Sequence, residues 1–147
     1  MHILYHKGDD EMFTEKIFAA KTDVLYEVLA FVEQQLEQAE CSRKQQIAIA
    51  IVVEEVFVNV ANYAYGDDTG RVKISFEFEQ ENRTMTLEVS DKGIPFDPLK
   101  KQDPDITLGA DKRDIGGLGI FMTKKTMDSV AYCYKNGENI LTMKKKI

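Results

Sequence analysis

Glu55 and Asn59 lie four residues apart inside the apolar run QQIAIAIVVEEVFVNVANYAY. That spacing stacks their side chains on one face of a helix. The run predicts a helix buried nearly all round, where even a neutral polar group without a partner costs roughly 2–7 kcal/mol. A carboxylate and an amide oxygen so placed suit a hard cation such as magnesium, carried by a ligand lying against that face. Asn62 and Tyr63 follow one turn later. Taken alone, the pair fits a solvated stripe on a partly buried helix equally well.

Two other segments carry comparable chemistry. The stretch TLEVSD runs into Asp91-Lys92-Gly93, placing a carboxylate at a strand end two residues before a glycine that lets a flat ring approach the backbone. A carboxylate acceptor matches the exocyclic amine of adenine. An Asp and a Gly in a turn are also commonplace. Further on, Gly116-Gly117-Leu118-Gly119 opens a helix. Free N–H groups and a partial positive charge at such an entry favour phosphate. The segment lacks the GK[ST] ending of a P-loop and does not follow a strand as a dinucleotide fingerprint would.

Between these two segments, residues 97–115 read DPLKKQDPDITLGADKRDI without periodicity. Loops of this length inside compact domains tend to be lids or binding loops. All three prolines of the chain, Pro95, Pro98 and Pro104, lie at its entrance or within it. Gly109, Gly116, Gly117 and Gly119 lie in its second half or at its exit.

The elements needed to position these residues are legible from patterning. Residues 12–19 read as an opening strand. Thr22–Asp23 are placed to cap a helix running to about Glu40, and Ser42 to cap the second helix, which carries Glu55 and Asn59 and should stop near Tyr65. RVKISFEFEQ and TMTLEVSD alternate with period two and form an antiparallel hairpin. A helix from about Gly117 to Met127 precedes two closing strands joined at Asn136–Gly137. The expectation is an α+β two-layer sandwich, a mainly antiparallel mixed sheet with about three helices on one face.

Composition sets outer limits. The chain has 147 residues, 44% hydrophobic, enough for one ordinary core and a single domain over 1–147. A net charge of −6 argues against a nucleic-acid surface or attraction to anionic lipid. Lys144, Lys145 and Lys146 read as solvated ammonium groups ending a strand. No run of 18 apolar residues without charge appears, so no membrane span is expected. MHILYHKGDDE has no apolar signal core, and its His2 and His6 read as a chance pairing at a frayed terminus. Cys41 and Cys133 make no disulfide framework or metal spacing. A reduced, cytoplasmic protein is expected.

A helix with Glu-x-x-x-Asn, a strand ending Asp-x-Gly and a lid closing on Gly-Gly-x-Gly occur in a distinctive order. In this the chain, from about residue 12 to its end, resembles the ATP-binding superfamily shared by DNA gyrase, histidine kinases and MutL. Within it the chain is most similar to the small anti-sigma-factor serine kinases, the RsbW-like branch. Asp-x-Gly-x-x-Phe in place of Asp-x-Gly-x-Gly and the absence of a phosphoacceptor-His domain favour that branch.

The resemblance implies a Bergerat-type fold with an ATP lid at about 97–116, and ATP with magnesium as cofactors. It implies that Asn59 ligates the metal and that Glu55 is the general base toward a serine hydroxyl. Asp91 would accept from the adenine amine, with Gly93 giving the ring room and Thr142 backing the site. Gly116, Gly117, Leu118 and Gly119 would cover the phosphates, Arg113 and Lys112 would approach the γ-phosphate, and Asn62 would border the nucleotide. Tyr63 stands where relatives often carry His. The implied partners are a sigma factor and a STAS-domain anti-sigma antagonist, in a homodimer. The alternative within the same fold is an ATP-loaded partner-switching regulator that sequesters a sigma factor or other regulator with little or no kinase activity. An ATPase whose lid closure rearranges a dimer is expected less, since these residues include no transducer domain, and a ligand-free scaffold less still.

Overall fold

The computed structural model describes residues 2–6, 11–100 and 117–147. Six strands form one sheet: β1 (His2–His6), β2 (Glu11–Ala19), β3 (Arg71–Glu79), β4 (Thr84–Asp91), β5 (Ser129–Lys135) and β6 (Glu138–Lys146). Three helices accompany them: α1 (Leu25–Gln38), α2 (Arg43–Tyr63) and α3 (Gly117–Thr126). The α+β layering expected from the patterning is what the chain adopts.

The sheet order is β1-β2-β3-β4-β6-β5, and every neighbouring pair is antiparallel. The expected mixed character is therefore corrected. The crossover through α3 leaves β5 running in the same direction as β4, but β6 inserts between them and pairs antiparallel with both. A second correction concerns the N-terminus: residues 2–6 form an edge strand on β2 rather than a frayed end. Glu79 and Thr84 close the β3–β4 hairpin, with Arg83 at φ 48°. Asn136 and Gly137, at φ 55° and 78°, form the left-handed turn that two-residue hairpins require.

The helix entries differ in kind. Ser42 caps α2 as expected, its Oγ accepting from the Gln45 N–H at 3.3 Å. Thr22 and Asp23 do not cap α1. They lie in a short 3-10 turn, Thr22–Val24, that leads into it without a side-chain cap.

Alternation puts Val72, Ile74, Phe76 and Phe78 of β3 on the face covered by helices, with Met85, Leu87 and Val89 of β4 and Leu141 and Met143 of β6. Ile49, Val52, Val53, Val56 and Phe57 of α2 and Val28, Phe31, Val32 and Leu36 of α1 complete this core. Helix α2 is rich in β-branched residues, which are mediocre helix formers, so burial against the sheet supplies most of its stability. It is not buried all round: Ile47 and Ile51 are half exposed, and Glu54 and Glu55 are exposed. The sheet covers one side of α2, α1 and α3 flank it, and no described element covers its fourth side. Among the described residues α2 is long and apolar enough to cross a membrane by length and composition; here its apolar face is the core of the protein. Cys41 is buried and Cys133 exposed, both free. Burial pushes the Cys41 thiol above its ordinary range, against the pull of Arg83 and Lys145.

Candidate functional site

The second half of α2, the C-terminal end of β4, β6 and the segment that follows β4 enclose a cavity of about 460 Å³. This lies within the usual range of small-molecule sites, roughly 300–1,000 Å³. Its walls are mostly apolar, with Val56, Val60, Val89, Ile94, Ile120 and Leu141 among them, and the polar side chains of Asn59, Tyr63, Asp91, Tyr132 and Asn139 converge on it.

Asp91 sits at the end of β4, in register with Val72 on one side and Asn139 on the other. It continues the core-facing phase of Leu87 and Val89, which is why it is 7% exposed. A carboxylate in that phase needs donors. Its Oδ1 accepts from the Gly93 N–H and from Asn139 Nδ2, each at 2.9 Å. Its Oδ2 accepts from no described residue. Among the described residues this leaves one acceptor oxygen on a residue that lines an apolar cavity, which suits an amine-bearing ligand.

The chain's own packing also requires Gly93. A Cβ at this position would lie 2.1 Å from the carbonyl oxygen of Ala64, the residue that ends α2. That same carbonyl accepts from the Ile94 N–H at 2.8 Å. The segment after β4 is therefore packed backbone to backbone against the end of α2. Tyr65 ties the same corner: its hydroxyl donates to the Arg71 carbonyl and accepts from the Lys92 N–H. Because a backbone atom is in the way, Gly93→Ala should cost about 1–3 kcal/mol. A thermal melt should show the midpoint lowered by several degrees, and an unchanged midpoint would mean that the corner yields freely.

Asn59 is half buried, lines the cavity, and its amide makes no hydrogen bond among the described residues. Glu55, one turn earlier, is exposed at the side facing α3. A Cβ on Gly119 would come within 2.6 Å of Glu55 Oε2, so the first turn of α3 is packed against that carboxylate. The Thr123 hydroxyl donates to the Gly119 carbonyl at 3.0 Å within α3. Glu55 thus lies beside the partly positive N-terminal end of a helix.

Asn59 and Asp91 line one cavity, and Glu55 lies against Gly119. Asn62 is exposed and does not line the cavity. Thr142 does not line it either: on β6 the core-facing residues are Asn139, Leu141 and Met143, so Thr142 falls on the opposite face, across from Glu88. Gly117 and Leu118 begin α3. Lys112, Arg113 and Gly116, like lid residues 101–116 as a whole, lie outside the described residues.

The residue missed from the sequence is Asn139. The signal was present: an Asn in phase with Leu141 and Met143 is the same anomaly, a polar group in an apolar register, that drew attention to Glu55 and Asn59. Among the described residues no three His, Cys, Asp or Glu side chains gather as a metal site. The oxygen chemistry available, one unpartnered amide beside one carboxylate, fits a magnesium ion whose remaining ligands are phosphates and water.

A family profile described as "Histidine kinase-like ATPase domain" matches residues 18–145. The chain is 29% identical over 101 residues to the serine-protein kinase RsbW of Listeria monocytogenes, which covers 65% of this chain and 63% of that protein. It is 30% identical over 98 residues to RsbW of Bacillus thuringiensis, covering 64% and 60% respectively. The serine/threonine-protein kinase BtrW of Bordetella bronchiseptica is 23% identical over 122 residues, covering 83% of this chain and 82% of that protein. The match thus spans less than two thirds of the length of the RsbW relatives.

Proposed function

We propose that this chain, which belongs to the histidine kinase-like ATPase domain family, is an ATP-dependent serine/threonine protein kinase acting as an anti-sigma factor on a STAS-type anti-sigma antagonist. The observation that carries this reading is buried Asp91, whose Oδ2 accepts from no described residue, in the lining of an apolar cavity that Asn59 also lines. The likeness to RsbW and BtrW supports the kinase chemistry.

In this reading the cavity takes the adenine, with Asp91 Oδ2 accepting from its amine. The triphosphate extends toward Asn59 and the N-terminal turn of α3, where the backbone N–H groups of Gly117 to Gly119 meet it. Asn59 would hold magnesium through its side-chain oxygen, and the ion would supply positive charge against the phosphates. Glu55 orients the serine hydroxyl of the antagonist and takes its proton as the oxygen bonds to the γ-phosphorus. The bond from that phosphorus to the β–γ bridging oxygen breaks, and ADP carries away the electron pair. The protein works in the cytoplasm as a homodimer, binding neither nucleic acid nor membrane directly.

Saturating Mg-ATP at ~100 times its dissociation constant should add about 2.7 kcal/mol to stability, read as a raised melting temperature. Incubation with Mg-ATP and a candidate antagonist should then yield phosphoserine. Stabilisation without phosphoserine supports a partner-switching regulator in place of a kinase. No stabilisation sinks both.

A further inference from the structure

Asn139 is hydrogen-bonded through both polar atoms of its side chain. Its Nδ2 donates to Asp91 Oδ1 and to the Ile94 carbonyl, each at 2.9 Å. Its Oδ1 accepts from the Phe96 N–H at 3.0 Å and from the Tyr132 hydroxyl. The orientation of this amide is dictated by its neighbours. A backbone N–H only donates and a carbonyl only accepts, so Phe96 and Ile94 together exclude the flipped amide.

That orientation decides what Asp91 can offer. Oδ1 is occupied by two donors, Gly93 N–H and Asn139 Nδ2, so the carboxylate is held against rotation, and Oδ2 is the oxygen that accepts from no described residue. The hydroxyl of Tyr132 holds the other end of the amide, donating to its Oδ1. Burial pushes this phenol above its ordinary range, which keeps it an O–H donor. The same amide grips the rim, because Ile94 and Phe96 both line the cavity mouth.

We propose that Asn139 is a positioning residue for base selectivity: it locks Asp91 so that one fixed acceptor oxygen meets a 6-amino purine and rejects a 6-oxo purine. This rests on the nucleotide-binding reading above. A fixed oxygen accepts from an exocyclic amine and faces the lone pairs of a carbonyl in the same place. A carboxylate free to turn can instead swing to the neighbouring ring N–H of an oxo-purine, and discrimination falls.

The test is titration calorimetry with ATP and with inosine triphosphate on the wild type, Asn139→Ala and Tyr132→Phe. The wild type should favour ATP by about 100-fold or more, as expected where a site is built to hydrogen-bond its ligand. In Asn139→Ala that ratio should fall by about tenfold, the scale of one charge-assisted hydrogen bond. Tyr132→Phe, which keeps the ring, should shift it in the same direction by less. A purely structural role would weaken both nucleotides together and leave the ratio where it was, and that result overturns the proposal. Should Asn139→Ala not fold, an unchanged ratio in Tyr132→Phe overturns it equally. If the wild type binds ATP and inosine triphosphate equally well, the selectivity inference fails while nucleotide binding stands. If it binds neither, the nucleotide reading fails first.

Discussion

Asp91→Asn should remove most nucleotide affinity while leaving the fold in place. The substitution is nearly isosteric, and the retained oxygen can still accept from Gly93 and Asn139. The other position becomes an NH₂ group that faces the amine of the base, donor against donor. A site built around a hydrogen bond rejects such a mismatch strongly, and a loss of at least about 100-fold in Kd is expected. Stability should change little, since removing a buried carboxylate also removes its desolvation cost. The check is calorimetry with Mg-ATP beside a melt without nucleotide. Affinity within about threefold of wild type would remove Asp91 from the base site.

Glu55→Gln should separate binding from chemistry. Glu55 is exposed and lies against Gly119 rather than in the wall of the cavity, so a neutral isostere should leave ATP affinity close to wild type. A glutamine cannot take a proton, and the rate of phosphoserine formation should drop by about 10²–10⁴-fold, the usual worth of a positioned general base. Single-turnover transfer to the antagonist, measured with saturating nucleotide, reads the chemical step directly. Wild-type transfer by this variant would mean that Glu55 is not the base. A parallel loss of ATP affinity would instead place the carboxylate in ground-state binding.

Much of the architecture was legible before any coordinates. Period-two runs marked β3 and β4, Ser42 marked the start of α2, and Asn136–Gly137 marked the last hairpin. Each of these signals is local: alternation, a cap hydrogen bond or a left-handed turn involves residues within a few positions of one another. The edge strand β1 escaped because five residues of mixed character gain strand structure only by pairing with β2. The open side of α2 escaped for a related reason, since an apolar sequence does not say how many neighbours the fold will supply.

The site divides along the same line. Residue type and helical spacing alone singled out Glu55 and Asn59, and the strand-end Asp-x-Gly singled out Asp91, because those choices rest on what a carboxylate or an amide can do. Thr142, expected at the site from the resemblance, lies on the opposite face of β6, and Asn139 was passed over. Only the insertion of β6 between β4 and β5 sets Asn139 across from Asp91, a contact spanning 48 positions of chain. Likewise Gly93 is demanded by the carbonyl of Ala64, which nothing nearby in the chain foretells. Chemistry and local geometry are properties of short stretches and can be read there. Which oxygen of Asp91 stays free is decided by long-range pairing, because only the assembled sheet brings the competing donors within hydrogen-bond reach.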